Sequence, residues 1–139
     1  MSTPLQTIYD SFLIKIDEPI NFVGMQEMIF NYFLSARAKL YKIIPHSLDY
    51  TFTVNLLLDG MIVDDLDFDE IELIALQMLF EHKRRKREYL EALKREIGTK
   101  DFNTLSDKKR ELDGLRNGML DLKEEINELK QQFNTYKFS

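Results

Sequence analysis

The chain has 139 residues, a formal net charge of −5 and no cysteine, which excludes disulfides, thiolate metal sites and thiol nucleophiles. Hydrophobic residues make up 44% and charged residues 31% of it, a balance typical of a folded protein and not of a disordered or membrane-embedded one. No apolar run approaches the roughly 20 residues of a membrane span, and the N-terminus lacks the basic region of a signal peptide. We therefore expect one small domain, or a small domain with an extension, and no membrane partner.

Two helices are predicted in the first third of the chain. Thr3 and Pro4 are expected to supply the N-cap and the first helical residue of a helix that reaches Ile16. Apolar residues recur at helical spacing along it. A second helix, with its own apolar stripe, is predicted over residues 24–44, and Pro45 ends it.

A change of period near residues 50–63 predicts a β-hairpin. Residues 51–54 are aromatic or β-branched, which favours a strand, and Asp59-Gly60 followed by residues 61–63 is a common signal for a tight turn and a second strand. An isolated hairpin is marginally stable in water. We expect this one to pack on the helices or to pair with a neighbouring chain.

Two long helices follow. Asp67 and Glu70 form a capping-box-like start for a third helix that runs to a C-terminal glycine, Gly98. A fourth helix carries apolar residues at alternating spacings of three and four, an unbroken heptad pattern. Its members are Leu112, Leu115, Met119, Leu122, Ile126, Leu129, Phe133 and Tyr136. The short link between the two helices predicts an antiparallel hairpin.

The predicted fold class is mainly α: a helical bundle with a long antiparallel helical hairpin and one small β-hairpin. Residues 1–98 would form a helical domain, and residues 99–139 the heptad helix with its aromatic tail. In this hairpin the third helix covers the first half of the heptad helix and leaves the second half without an intramolecular partner. That half is predicted to be an intersubunit surface, formed by Leu122, Ile126, Leu129, Phe133, Tyr136 and Phe138.

The acidic residues before the third helix alternate as at the start of a calcium-binding loop. Asp65, Asp67 and Asp69 match that start, but Glu70 stands where a glycine must turn the chain and Leu76 where a bidentate glutamate is needed. We therefore expect these acids to face the positive end of the helix dipole and to bind no metal.

His46 and His82 are the only histidines, and neither lies at a metal-ligand spacing. Surface or half-buried structural roles are expected for both. The serines lack a nucleophile-elbow context, and no glycine-rich phosphate loop occurs. The sequence predicts no catalytic residue, no cofactor and no metal site.

Five consecutive cations interrupt the apolar stripe of the third helix: Lys83, Arg84, Arg85, Lys86 and Arg87. Five residues cover the whole circumference of a helix, so this turn must be exposed or meet acidic groups. Three interpretations stay open, which are a phosphate contact, a charged docking site for an acidic partner, and a solvated helix segment. The net acidic balance argues against general nucleic-acid binding.

The opening segment TPLQTIYDSFLIKI (residues 3–16) and the junction KDFNTLSDKKRELDGLR (residues 100–116) stand out, together with FNYFLSA (30–36) and DFDEIELIALQM (67–78). In this order, before a final heptad helix, they resemble the head–tail connector proteins of long-tailed bacteriophages, also called neck or adaptor proteins. The resemblance covers most of the chain. It is a resemblance of pattern and carries no catalytic signature.

What the resemblance implies is a structural virion protein, made in the host cytoplasm and placed in the neck between capsid and tail. Such proteins assemble as a ring, commonly a dodecamer, beneath the portal protein, and meet tail or stopper proteins beyond it. DNA passes through the channel without sequence-specific binding, and like-charge repulsion from an acidic lumen would let it slide. The residues leave one alternative: a dimeric coiled-coil nucleic-acid-binding regulator that contacts phosphate through residues 83–87.

Overall fold

The computed structural model describes residues 2–16, 25–51, 60–97 and 102–138. In the two long helices, side chains are described as far as residue 96 in the first and from residue 104 to residue 133 in the second. In chain order the elements are strand β1 (Thr3–Pro4), helices α1 (Leu5–Lys15) and α2 (Met25–Leu40), strands β2 (Tyr50–Thr51) and β3 (Met61–Ile62), and helices α3 (Phe68–Ile97) and α4 (Phe102–Phe138). The predicted fold class is confirmed, because helices pack as a bundle beside one small antiparallel sheet. Among the described helices, none combines the length and apolar character needed to cross a bilayer.

The sheet has the strand order β1-β3-β2, and both pairings are antiparallel. Ile62 of the central strand lies opposite Thr3 on one side and Tyr50 on the other, and its side chain is fully buried. The strand pairing predicted near residues 50–63 is therefore confirmed for β2 and β3. The rest of the first predicted strand and its turn, residues 52–59, lie outside the described residues.

The first strand, β1, corrects the prediction for the N-terminus. Pro4, not Thr3, is the N-cap of α1, and it makes no side-chain cap hydrogen bond. Thr3 instead turns its hydroxyl to the loop after β3, donating to the carbonyl oxygen of Asp64 at 3.0 Å and accepting from the amide of Leu66 at 2.8 Å. Pairing with a strand some 60 residues later in the chain has replaced the local cap.

Helix α2 ends before the predicted residue 44. The amides of Ile43 and Ile44 both donate to the carbonyl oxygen of Leu40, at 2.9 and 3.0 Å, so the chain turns there. Pro45 follows, and a proline disfavours helical geometry at the residue before it. Ile44 remains 4% exposed, so the apolar stripe continues into the core although the helix does not.

Helix α3 is the central element of the bundle, since α1, α2 and α4 all pack against it. Seven consecutive residues of its first half are buried, which requires neighbours on every side. They are Leu73, Ile74, Ala75, Leu76, Gln77, Met78 and Leu79. The main core also takes in buried residues of α1 and α2, among them Phe12 and Phe33, both fully buried. The predicted helical hairpin of α3 and α4 is present, and the two helices have the most extensive packing of any pair of elements.

Candidate functional site

The second half of the heptad seam packs inside the chain. Leu122 and Ile126 are 5% and 3% exposed and belong to the main core, with the half-buried Leu129 and Phe133 packed against it. The premise that this half lacks an intramolecular partner is therefore wrong, because α4 continues along α3 to the part that α1 and α2 also cover. An intersubunit role stays a prediction for the half-buried pair, and the side chains of Tyr136 and Phe138 lie outside the described residues.

The half of the α3–α4 hairpin nearer its link has a small apolar interior of its own. Leu90, Leu112 and Met119 are buried, yet none of them belongs to the main core. Arg116 of α4 binds Glu91 of α3 at 2.9 Å and ties the helices together at this level. Tyr89, on the same half of α3, is 65% exposed. This half of the hairpin therefore offers surface to other molecules.

The five cations predicted as a charged docking site do not form one patch. Arg84 pairs with the buried Glu81 at 2.7 Å, and Glu81 also accepts from Lys39 of α2. Burial raises the pKa of the Tyr32 hydroxyl, and the nearby Arg85 lowers it by less. Part of the positive charge is thus used inside the fold.

The remaining cations of the run line two separate depressions. Lys83 and Lys86 border a small cleft of about 70 Å³ that also includes Lys15 of α1 and Leu115 of α4. Lys15 pairs with Glu72 at 2.8 Å. A docking role for the run as a whole stays a prediction, since its side chains diverge around the helix.

Arg87 lines a larger depression between α3 and α4, which we name the hairpin groove. Its volume is about 340 Å³, and it is lined by Phe80, Arg87, Arg116, Met119, Leu120 and Lys123. Three of these side chains are apolar and three are cationic. Leu120 is 65% exposed, so the apolar floor reaches the surface. The groove combines an apolar floor with a positive rim.

Glu91 is the carboxylate beside the hairpin groove. The hydrogen bond from Arg116, followed by the positive charges of Arg116 and Arg87, lowers the pKa of Glu91. Arg87 Nε is buried, lies 3.9 Å from Glu91 Oε1 and has no hydrogen-bond acceptor among the described residues. Lys123 has no acidic partner within the described part of the chain. The rim therefore retains capacity to bind a further carboxylate.

The acidic start of α3 is the second exposed feature. Asp65, Asp67 and Asp69 are all exposed, and Phe68 among them is 78% exposed. Glu70, by contrast, is fully buried. Its Oε1 accepts from the amide of Asp67 at 3.0 Å, which is the glutamate half of the predicted capping box.

His46 joins this cap in a way that sequence spacing could not indicate. Its Nδ1 donates to Glu70 Oε1 at 2.6 Å, and this bond is the main cause that raises the pKa of His46. The ligand atoms of His46, Asp67 and Glu70 lie within 4.8 Å of one another, the one such trio among the described residues. Because Glu70 Oε1 already holds the imidazole and an amide, we interpret the trio as a structural clasp.

His82 has a structural setting as well. Its ring packs edge-on against Phe12 and Tyr32, and its Nδ1 lies 3.2 Å from the hydroxyl of Tyr32. Both contacts belong to the core between α1, α2 and α3.

Comparison with known protein families, with curated proteins and with solved structures finds no match to this chain.

Proposed function

We propose that this chain is a structural subunit of a head–tail connector ring, which joins the portal protein of a long-tailed bacteriophage to its tail and extends the DNA channel. Its partners would be further copies of itself, the portal protein and tail or stopper proteins. DNA would pass through the channel without sequence-specific binding. The proposal rests on the sequence resemblance together with the shape of the chain.

The long α3–α4 hairpin is the observation that carries the proposal. Helix α4 has 37 residues, about 55 Å at 1.5 Å per residue. A compact chain of this length has a radius of gyration of only about 14 Å. Helix α4 alone is therefore longer than a compact protein of the same mass is wide. An element of this length suits lateral packing of subunits around a ring. The residues buried only within the hairpin, Leu90, Leu112 and Met119, fit the same interpretation.

The segments that carry the resemblance also have architectural positions. Residues 3–16 form β1 and α1 and bury Leu5, Ile8 and Phe12 completely. Residues from Phe102 to Arg116 open α4 and include Leu112, which is 1% exposed. Their resemblance therefore concerns residues that build the fold.

The proposal can be tested by deleting the coding sequence of this chain from the genome that carries it. We expect DNA-filled heads and separate tails to accumulate, because heads and tails would lack the ring that joins them. Expression of the chain from a plasmid should restore tailed particles, and labelled antibody should mark the neck in electron micrographs. Normal tailed particles without the chain would contradict the proposal.

A further inference from the structure

The start of α3 forms an exposed aromatic knob in an acidic setting, which we name the acidic knob (Phe68 with Asp65, Asp67 and Asp69). Phe68 is 78% exposed, the second highest exposure among the large apolar side chains of the described residues. Asp65 and Asp69 make no ion pair with any described residue. An exposed aromatic ring with exposed carboxylates on neighbouring residues is well suited to enter an apolar pocket with a positive rim.

The hairpin groove has the complementary chemistry. Phe80, Met119 and Leu120 supply apolar lining, and Arg87 and Lys123 supply positive charge. Arg87 lies 3.9 Å from Glu91, but its buried Nε has no hydrogen-bond acceptor among the described residues. A dry apolar cavity of about 150 Å³ holds a benzene molecule. The groove, of about 340 Å³, is large enough for a phenylalanine ring.

The knob of a chain cannot reach the groove of the same chain. Phe68 and Arg87 lie on one continuous helix, and their positions, 19 residues apart, are separated by about 28 Å along its axis. The two complementary surfaces therefore face different neighbours. A contact between the knob of one copy and the groove of the next would be heterologous, which is the geometry that generates rings when the rotation closes.

We propose that the acidic knob of one copy of this chain inserts Phe68 into the hairpin groove of the next copy, with Asp65 and Asp69 facing Arg87 and Lys123. This contact would join the subunits of the proposed connector ring, and its closure into a ring rests on that proposed function. It names the contact by which copies join head to tail.

Disulfide trapping tests this contact, and the absence of native cysteine makes the readout clean. A chain with Phe68→Cys and Leu120→Cys should give a ladder of covalent dimers, trimers and higher species under mild oxidation. An intramolecular disulfide cannot form, because Cα atoms must lie within about 7 Å. A chain with Ile14→Cys and Leu120→Cys is the matched control, since Ile14 is equally apolar and 83% exposed, and it should stay uncross-linked.

Mixing chains that each carry one of the two cysteines shows whether the knob of one copy meets the groove of another. Phe68→Cys chains mixed with Leu120→Cys chains should give one-to-one dimers and nothing larger, whereas either variant alone should give none. Leu120→Cys chains that cross-link to each other would indicate a symmetric dimer and would overturn the head-to-tail contact. If the double variant gives no ladder of cross-linked species, the head-to-tail contact is overturned as well. That result is also expected if an acidic peptide from another protein binds the groove instead.

Charge reversal provides an independent readout. Asp69→Lys and Lys123→Glu should each lower the trapping yield by about two- to fivefold, as expected for exposed ion pairs. The chain carrying both reversals should recover the yield, because each contact again joins opposite charges. Equal loss in the single and double variants would reject the pairing. If trapping fails but deletion of the coding sequence still separates heads from tails, only the knob-and-groove contact is lost and the connector function stands.

Discussion

Thr3 holds the N-terminal strand to the loop that follows β3 through two hydrogen bonds of one hydroxyl. Thr3→Val keeps the shape of the side chain but leaves the amide of Leu66 without its acceptor. We expect the free energy of unfolding to fall by about 1–3 kcal/mol, the cost of a buried group left unsatisfied. Chemical denaturation measures it, and Thr3→Ser, which keeps the hydroxyl, should lose clearly less. Equal losses in the two variants would show that the methyl group, not the hydroxyl, matters.

The clasp of His46 and Glu70 predicts a pH dependence of stability. Hydrogen bonding to Glu70, with the charges of Glu70, Asp67 and Asp64, raises the pKa of His46 above 6.5, against a smaller opposing effect of desolvation. A raised pKa in the folded state means that the contribution is complete below the unfolded pKa and is lost as pH rises through the folded value. The melting-temperature difference between the natural chain and His46→Ala should therefore be larger at about pH 6 than at about pH 9.

Glu70→Gln supplies the control for this dependence. In that background the removal of His46 should change the melting temperature by nearly the same amount at both pH values, because the hydrogen bond and charge of Glu70, the main cause of the raised pKa, are gone. A pH dependence that survives Glu70→Gln would assign the effect to Asp64 or Asp67. The side chain of His46 is 41% exposed, so solvent screening keeps the effect modest.

The two hydrogen bonds of Glu70 differ in whether the sequence could predict them. The bond between Asp67 and Glu70 is local, and its three-residue spacing is visible in the sequence as a capping box. The bond from His46 spans 24 residues and carries no periodic signal. The same reason explains why Thr3 was predicted to be a cap. Residues whose partners are distant in sequence have no local pattern to read.

At the scale of elements, the heptad pattern predicted correctly the buried face of α4 from Leu112 to Ile126 and its cover by α3 over the first half, but not what covers the second half. Ile126 is 3% exposed in the chain's own core. We expect Ile126→Ala to lower the free energy of unfolding by about 2–5 kcal/mol, the usual cost of a cavity in a packed core. Chemical denaturation of the purified chain measures it.

Leu120→Ala is the matched control, because Leu120 lies on the same helix and is 65% exposed. Its cost should stay within about 0.5 kcal/mol, as for other surface substitutions. If Ile126→Ala were equally mild, the seam would not be part of the intramolecular core, and the sequence prediction of an intersubunit surface at Leu122 and Ile126 would regain its basis.

The lengths of α3 and α4 and their antiparallel pairing were predictable because helical periodicity and a short link are local features. The third strand was not predictable, since two residues at the start of the chain hold no strand signal before their partner is known. The hairpin groove was not predictable either. It depends on the relative placement of α3 and α4, which brings Phe80 and Arg87 of one helix and Leu120 and Lys123 of the other around one open space.

At the scale of the whole molecule, the alternative of a nucleic-acid-binding regulator makes a distinct prediction. A protein that neutralises five phosphates would lose DNA affinity with salt at a logarithmic slope of about −4.5. We expect the natural chain to show weak binding with a much shallower slope, because Arg84 is paired with Glu81 and the five cations diverge. Fluorescence anisotropy with duplex DNA over a range of salt concentrations measures the slope.

The variant with Lys83→Ala, Arg85→Ala and Lys86→Ala serves as the comparison. Under the connector proposal it should bind DNA as weakly as the natural chain. A steep slope in the natural chain that this variant abolishes would favour the regulator and count against the connector.

The placement of β1 has a consequence for the order in which the molecule folds. Helices α3 and α4 are consecutive and can zip together from their link, whereas β1 and α1 must wait for partners about 60 residues ahead, as the bonds from Thr3 to Asp64 and from Lys15 to Glu72 require. Closing that long loop costs entropy before any contact rewards it. We expect the hairpin to form early and the N-terminal strand to dock last, so that amide hydrogens of α3 gain protection from exchange before those of α1.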